Sequence, residues 1–392
     1  MGNLQADVIV IGAGMAGASV AAELSQSLNV ALVERESQPG VHATGRSAAA
    51  FIPSYGASKP ALRILTRASR DFLLAPPAQF SEHSLLKRRG LLTLLGQTAP
   101  ESVDAERRAL NDLLEYPIER LSGDAIAARL PALRPEWLTN AWWEDDVHDI
   151  DVHGLHQGYL RQHKLNGGTL ITNSDFELRR GDKQSWVVAS ATTQIEAPIV
   201  VNAAGAWADE LAASAGVRRL GISPKRRTAI LISPPEQYSV ENWPLAFAHD
   251  ESFYLKPDAG MLLVSPADEH PSAPCDAQPE EIDVAFAAHF AESALIGLQV
   301  QHIPHRWAGL RTFAPDRIPV IGFDTEHEGF FWCVGQGGHG VQIAPAVARL
   351  ARSLITRSAL PTELIDNGFY SDWVSPGRFN ASPSHQFFAS NQ

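Results

Sequence analysis

The chain has 392 residues, 45% of them hydrophobic and 19% charged, which suits a folded globular protein of two or three domains and excludes a disordered one. With 32 Lys and Arg against 44 Asp and Glu the net charge is −12, the wrong sign for a protein that grips nucleic acid by displacing counterions. Two cysteines, Cys275 and Cys333, exclude a disulfide scaffold or a cysteine-rich metal centre and point to a reducing, cytoplasmic compartment. Met1–Ala6 has no basic region ahead of an apolar stretch, so no signal peptide is expected. The most apolar window, 8–24, is broken by Gly12, Gly14, Gly17, Ser19 and Glu23, so no integral membrane segment is expected either.

Val8-Ile9-Val10-Ile11 is a β-branched run suited to a strand buried on both faces of a parallel sheet. It enters Gly12-Ala13-Gly14-Met15-Ala16-Gly17, after which a helix is predicted from Ala18 to about Ser27 and a second strand over Val30–Val33, ending at Glu34. Strand, glycines, helix and acid stand in register over the 22 residues from Gly12 to Glu34, the pattern of a dinucleotide-binding βαβ unit. Gly12 would make the tight turn, Gly14 would let a pyrophosphate approach the backbone, and Gly17 would let helix and strand pack closely. The helix N-terminus offers N–H groups and a positive dipole end to the phosphates. Glu34 can accept the ribose hydroxyls, which favours FAD or NAD over NADP. Glu34-Arg35-Glu36 then leads into a stretch with Thr44, Gly45, Arg46, Ser47 and Ala48, small enough to lie under an extended flavin nucleotide and thus favouring FAD.

Further along, strands are predicted over Leu91–Leu95, Ile199–Asn202 and Thr228–Ile232, and a helix over His153–Lys164. Ala203-Ala204-Gly205-Ala206-Trp207 reads as a second strand-to-helix turn of the nucleotide domain. Phe253–Leu255 and Met261–Val264 flank Pro257-Asp258-Ala259-Gly260, a hairpin signal. Gly335–Gly340 holds four glycines around His339, which would let backbone approach a flavin ring before another helix begins. His148, His153 and His156 with the nearby aspartates match no metal-ligand spacing, so no metal is expected.

Val8–Gly17, Thr44–Ala49, the run 200–209, Gly309–Asp316, Pro319–Gly322 and Gly335–Gly340 together resemble the amine-oxidising flavoproteins of the D-amino acid oxidase family. That family includes glycine oxidase, sarcosine oxidase and bacterial D-amino acid dehydrogenases. His153–Arg161, Pro224–Arg227 and Glu251–Gly260 look most like the bacterial D-arginine dehydrogenases. The resemblance implies an α/β fold: a discontinuous Rossmann-like FAD-binding domain (1–85, 149–218, 306–378) with an inserted α+β substrate domain (86–148, 219–305) containing a mixed or antiparallel sheet, and a loose tail over 379–392. The implied reaction is oxidative deamination of a D-amino acid, giving an imino acid that hydrolyses to a 2-oxo acid and ammonia.

An α-amino acid substrate needs its carboxylate held, which the planar fork of arginine does best. Arg311 lies in the apolar Trp307-Ala308-Gly309-Leu310-Arg311, where an unpaired guanidinium is costly, with a structural ion pair to Asp316 as the bland alternative. Arg227 ends Lys225-Arg226-Arg227, whose bland reading is a solvated basic edge, and Arg226 suits that reading better. The resemblance assigns Arg227, Arg311 and Tyr254 to the carboxylate, the Gly338 carbonyl to the amine, Gln342 to the site and Tyr55 to a mobile loop lining the pocket. It also implies that Gly309, Gly337, His339 and Gly340 border the flavin, with His339 packing more than acting as a base. Three pocket positions that are polar in the D-arginine enzymes are Ala50, Ile52 and Leu91 here, which implies neutral or hydrophobic substrates. Sarcosine-oxidase relatives tether their flavin through a cysteine near the segment matching Arg311 and carry a lysine that promotes oxygen reduction. No cysteine lies near Arg311 here and no lysine in Met261–Val264, so the resemblance implies a non-covalent FAD and a quinone or other carrier as acceptor, with contact to the inner face of a membrane through it. Two other readings stand beside this one: a glycine- or sarcosine-type amine oxidase, and a flavoprotein subunit without turnover of its own.

Overall fold

A computed structural model describes residues 2–96 and 101–380; the expected loose tail lies, from residue 381 on, outside the described residues. The chain divides into two compact units: the start to Val41, His156–Ser223 and Thr312 onward form the first, and His42–Leu155 with Pro224–Arg311 form the second.

The first unit is built on a six-stranded sheet ordered Thr169–Ile171, Val30–Val33, Val8–Ile11, Ile199–Asn202, Phe330–Val334, Val320–Phe323. Neighbours are parallel except for the last strand, which runs antiparallel to Phe330–Val334. Val8, Ile9 and Val10 are fully buried, as a central strand covered on both faces requires. The helices Met15–Leu24 and Ala344–Thr356 pack together on this sheet. A second sheet of four strands, Gly2–Gln5, Thr193–Ala197, Trp186–Ala189 and Glu177–Arg180, shares its core through Trp186, Ile195, Val200 and Phe330. The first helix begins at Met15, three residues before its predicted start, because Gly14 is extended and caps it while Gly17 belongs to the helix and packs closely.

The second unit carries a nine-stranded sheet running His270–Pro271, Ser223–Ile232, Met261–Ser265, Tyr254–Asp258, Leu245–Ala248, Leu91–Leu94, Ala141–Glu144, Glu119–Leu121, with His305–Phe313 also paired to Ser223–Ile232. Leu245–Ala248 is parallel to Leu91–Leu94, while the pairs on either side of it are antiparallel, so the sheet is mixed. The hairpin turn is shorter than predicted. Pro257 and Asp258 stay paired with Leu262 and Met261, and Ala259-Gly260 alone reverse the chain with positive φ at both, as a two-residue turn demands. A three-stranded sheet, Ala50–Phe51, His148–Ile150 and Leu86–Arg88, completes the unit.

Alternation along the strands gives the large sheet two different faces. Leu92, Ile230, Leu255, Leu262 and Val264 pack on one face against Val284, Ala287 and Ala291 of the helix Glu281–Ala294. Leu91, Ala229, Tyr254 and Leu263, their immediate neighbours in sequence, face the other way into a separate cluster. The segment 42–85, expected with the nucleotide domain, groups with the second unit. Ala50–Phe51 pairs with His148–Ile150, and the Arg46 guanidinium donates to the carbonyls of Ala277 and Ala308.

Candidate active site

In the first unit, three loops leave the carboxyl ends of adjacent parallel strands, where α/β sheets hold their ligands. The first follows Val8–Ile11. Gly12 has φ +99°, and a Cβ there would stand 2.5 Å from the Ala203 carbonyl oxygen; a Cβ on Gly17 would stand 1.7 Å from the Gly12 carbonyl oxygen. Only hydrogen fits at either position. No side chain caps the helix Met15–Leu24 and no acid lies in its first turn, so its positive dipole end carries no built-in anion.

Glu34 does more than the sequence suggests. Its carboxylate accepts the Ala13 N–H at 2.8 Å and the Glu36 N–H at 3.0 Å, tying the glycine turn to the end of the second strand. A carboxylate has about four lone-pair directions, so sites for ribose hydroxyls remain. Arg35 pairs with Glu36 at 3.2 Å and lies over the Trp207 ring at 4.5 Å. On the opposite side of the turn, His156 Nε2–H donates to the Ala13 carbonyl at 2.9 Å, since a carbonyl can only accept. From sequence His156 was weighed as a metal ligand against a solvated residue at the entry to a helix, and neither reading foresaw this bond.

The second loop follows Ile199–Asn202. Asn202 Oδ1 accepts the Ala204 N–H at 3.2 Å and Asn202 Nδ2 donates to the Ala208 carbonyl at 2.9 Å, which folds Ala204, Gly205 and Trp207 into a single tight turn. The third follows Phe330–Val334. Gly337 N–H donates to the Thr312 carbonyl at 2.8 Å and His339 N–H to the Gln336 carbonyl at 3.0 Å, with Gly338 between them and Gly340 after. His339 and Gln342 are buried, and the helix begins at Ala344. Close glycine backbone and an uncapped helix end suit the pyrophosphate of a dinucleotide. Cys333 is buried on the strand beneath, and burial pushes its thiol up to about 12, which leaves it inert.

In the second unit, Arg227 lies on Ser223–Ile232 two residues before Ala229, on the same face, and Arg311 lies likewise on His305–Phe313. Burial first, and then the neighbouring Arg311 guanidinium, hold Arg227 below the usual arginine range; Tyr254, Asp268 and Tyr55 also bear on it. Two guanidiniums and two phenols therefore share one neighbourhood. Arg227 Nε–H donates to the Asp268 carbonyl at 2.7 Å and its Nη2 lies 3.4 Å from Glu269. The Asp268 carboxylate is held by the Thr228 N–H at 2.6 Å and hydroxyl at 3.1 Å, and burial raises its pKa. Asp268 and Glu269 were not singled out from sequence; two acids just past a strand resemble any polar turn. Arg226, one residue from Arg227, points to the helix face and pairs with Glu280 at 2.6 Å and Asp283 at 3.3 Å. Asp316, the acid considered for Arg311, pairs with Arg378 at 2.8 Å instead.

Leu91 and Tyr254 belong to one apolar cluster, and Ala48, Ala50 and Ile52 pack against it. Arg46 is committed within the unit: besides Ala277 and Ala308 it pairs with Asp276, so any flavin contact from Thr44–Ala48 falls to backbone and small side chains. Trp307 Nε1–H donates to the Arg46 carbonyl at 3.0 Å, and a Cβ on Gly309 would stand 3.4 Å from the Arg46 Cβ. Directly opposite Leu91 stands Glu144, 4% exposed, accepting the Ser54 N–H at 3.1 Å; burial pushes its carboxyl up to about 7.

Residues 7–354 match the family model described as FAD dependent oxidoreductase (DAO), and the chain belongs to that family. It is an FAD-dependent oxidoreductase. It is similar to glycine oxidase of Pseudomonas aeruginosa (28% identical, covering 89% of this chain and 94% of the relative) and to the hydrogen cyanide synthase subunit HcnC of the same species (24%, covering 92% and 95%). In fold it matches L-proline dehydrogenase from P. horikoshii, with TM-score 0.82 at 21% identity over 96% of this chain and 98% of that one.

Replacing Gly17 by Val forces a side chain into the Gly12 carbonyl; purified G17V is expected to lose its flavin absorbance relative to protein absorbance, or to be insoluble. Glu144 gives a signed stability effect. Its folded pKa exceeds the unfolded 4.5, so ionising it opposes folding, by nothing below about pH 4.5 and by about 3 kcal/mol above pH 7. E144Q is therefore expected to melt higher than the wild type at alkaline pH, with the gain fading as pH falls through that window.

Proposed function

We propose that the protein oxidises the Cα–N bond of D-amino acids with neutral, apolar side chains and passes the electrons to a quinone or similar carrier. The observation that carries this reading is the cluster of Arg227, Arg311, Tyr254 and Tyr55 in the second unit. Two guanidiniums held near one another repel, and an anionic carboxylate is the ligand that relieves that repulsion. Arg227 and Arg311 grip the substrate carboxylate, and the Tyr254 and Tyr55 hydroxyls donate to it. The apolar cluster of Leu91, Ala50 and Ile52 receives the side chain, since these residues cannot repay the desolvation of a cation.

Bound FAD supplies the two-electron acceptor for the Cα hydride. Gly12, Gly14, Gly17 and Glu34, with Ala204, Gly205 and Trp207, hold the nucleotide. Gly337, Gly338, His339, Gly340 and Gln342 border the ring. The amine must be neutral when the hydride leaves, so the chain favours a substrate deprotonated by water. The resulting imino acid hydrolyses to a 2-oxo acid and ammonia. Preference for the D enantiomer rests on the resemblance of Pro224–Arg227 and Glu251–Gly260 to D-arginine dehydrogenases. Glycine oxidase is the competing reading, supported by the 28% relative.

An anaerobic bleaching screen tests the proposal. Neutral D-amino acids are expected to bleach the flavin, with D-arginine poor and their L enantiomers inactive. Fast bleaching by D-arginine would remove the apolar-pocket argument, and bleaching only by glycine or sarcosine would select the competing reading. No bleaching by any amine would favour a subunit role, as the name of HcnC suggests for that relative. R227A is expected to lose about 10²-fold in kcat/KM through the lost charge-assisted bonds.

A further inference from the structure

We infer that Glu144 is a positioning residue whose carboxylate holds, in a proton-dependent way, the backbone turn that presents Tyr55. The inference rests on the reading of Tyr55 as a substrate-contacting residue. Glu144 ends the strand Ala141–Glu144 and pairs with Leu91, and directly opposed residues of antiparallel strands project from the same face. That face is the one Leu91 shares with Tyr254, Ala50 and Ile52. There the carboxylate meets the loop: it accepts the Ser54 N–H at 3.1 Å and is also bonded to the Ser54 side chain.

Other bonds hold the turn as well, among them one from the Arg63 guanidinium to the Ala57 carbonyl at 2.7 Å. Tyr55 N–H donates to the Ile52 carbonyl at 3.1 Å and Ala57 N–H to the Ser54 carbonyl at 3.0 Å. Glu144 links this turn to the sheet, and it acts on the residue next to Tyr55, which is 38% exposed. A glutamine could accept the same N–H without the cost of a buried charge. What a carboxyl adds is a change of state. Ionised, it accepts both the N–H and the hydroxyl of Ser54; protonated, one oxygen becomes a donor and the grip weakens.

Of the neighbouring charges, Asp146 bears on this group directly, and His148, across from Phe51, interacts with the same Asp146. Asp146, two residues on, adds a negative charge that reinforces burial in favouring the neutral acid, and is itself paired with Arg70 of the helix Pro60–Leu74 at 2.7 Å. On the neighbouring segment Arg88 pairs with Asp145 and Arg89 with Asp149, while Leu91 and Leu92 opposite carry no charge. The loop contributes Tyr55 and Lys59. With the carboxyl raised to about 7, its state changes within the physiological range.

The test uses holoenzyme and benzoate, a carboxylate probe with no titrating amine. Benzoate affinity of the wild type, read from the flavin spectrum, is expected to weaken about tenfold between about pH 8.5 and about pH 5.5. E144Q is expected to be flat over that range, and Y55F to lose most of the same step. An identical pH step in wild type and E144Q overturns the inference, as does a flat wild type. A second arm needs no ligand. Hydrogen exchange at Ser54 and Tyr55 is measured in wild type and E144Q at each pH, so that intrinsic exchange chemistry cancels. Slower exchange in the wild type at about pH 8.5, lost at about pH 5.5, supports the inference; an unchanging ratio overturns it. If benzoate fails to bind at any pH, the carboxylate-site reading falls, and the exchange arm still decides what Glu144 does.

Discussion

A side chain on Gly17 would occupy the space of the Gly12 carbonyl, and one on Gly12 that of the Ala203 carbonyl. Three pieces of backbone meet there, and the first unit depends on that meeting. It lets the helix Met15–Leu24 start directly at the end of the central strand. It also brings the turn after Ile199–Asn202 beside the turn after Val8–Ile11, so that two loops share one edge of the sheet. Glu34 and His156 brace the same turn through Ala13, one from its N–H and one from its carbonyl. A residue gripped at both its backbone polar groups is pre-organised, so a ligand that met it there would cost little ordering entropy.

The second unit obeys a different constraint, the two-residue period of a strand. In Lys225-Arg226-Arg227 the alternation sends Arg226 to the helix Glu281–Ala294, where Asp283 and Glu280 neutralise it, and Arg227 to the face of Tyr254. The same parity separates Tyr254 from Phe253 and Leu255, and Leu91 from Leu92. A slip of one residue would bury Arg227 against the helix and leave Arg226 facing Tyr254. Candidate site and core thus share single strands and are kept apart by direction alone.

Electrostatics then distinguishes the pieces of that face. Arg227 is tied to Asp268 and Glu269, a support that orients the guanidinium without saturating its five donors. Asp268 is spoken for by Thr228, so it serves the scaffold more than the charge. Glu144 is the opposite case, a buried acid with no cation of its own, held by backbone and hydroxyl donors.

The first βαβ segment was largely legible in the sequence, because its determinants are local. Val8–Ile11, the glycines and Glu34 lie within one βαβ unit, and each residue's task follows from its distance along the chain to the next. The candidate substrate half was legible only as residue types and by resemblance. That Arg227 and Arg311 are neighbours, that Asp268 and Glu269 support the first, and that Glu144 lies across from Leu91 and reaches Ser54 all depend on pairings between strands far apart in the chain. The reach of segment 42–85 into the second unit is of the same kind. Turn chemistry and periodicity are short-range properties that a sequence states outright, whereas strand partners and burial come from packing the whole chain, and only the tertiary structure decides them.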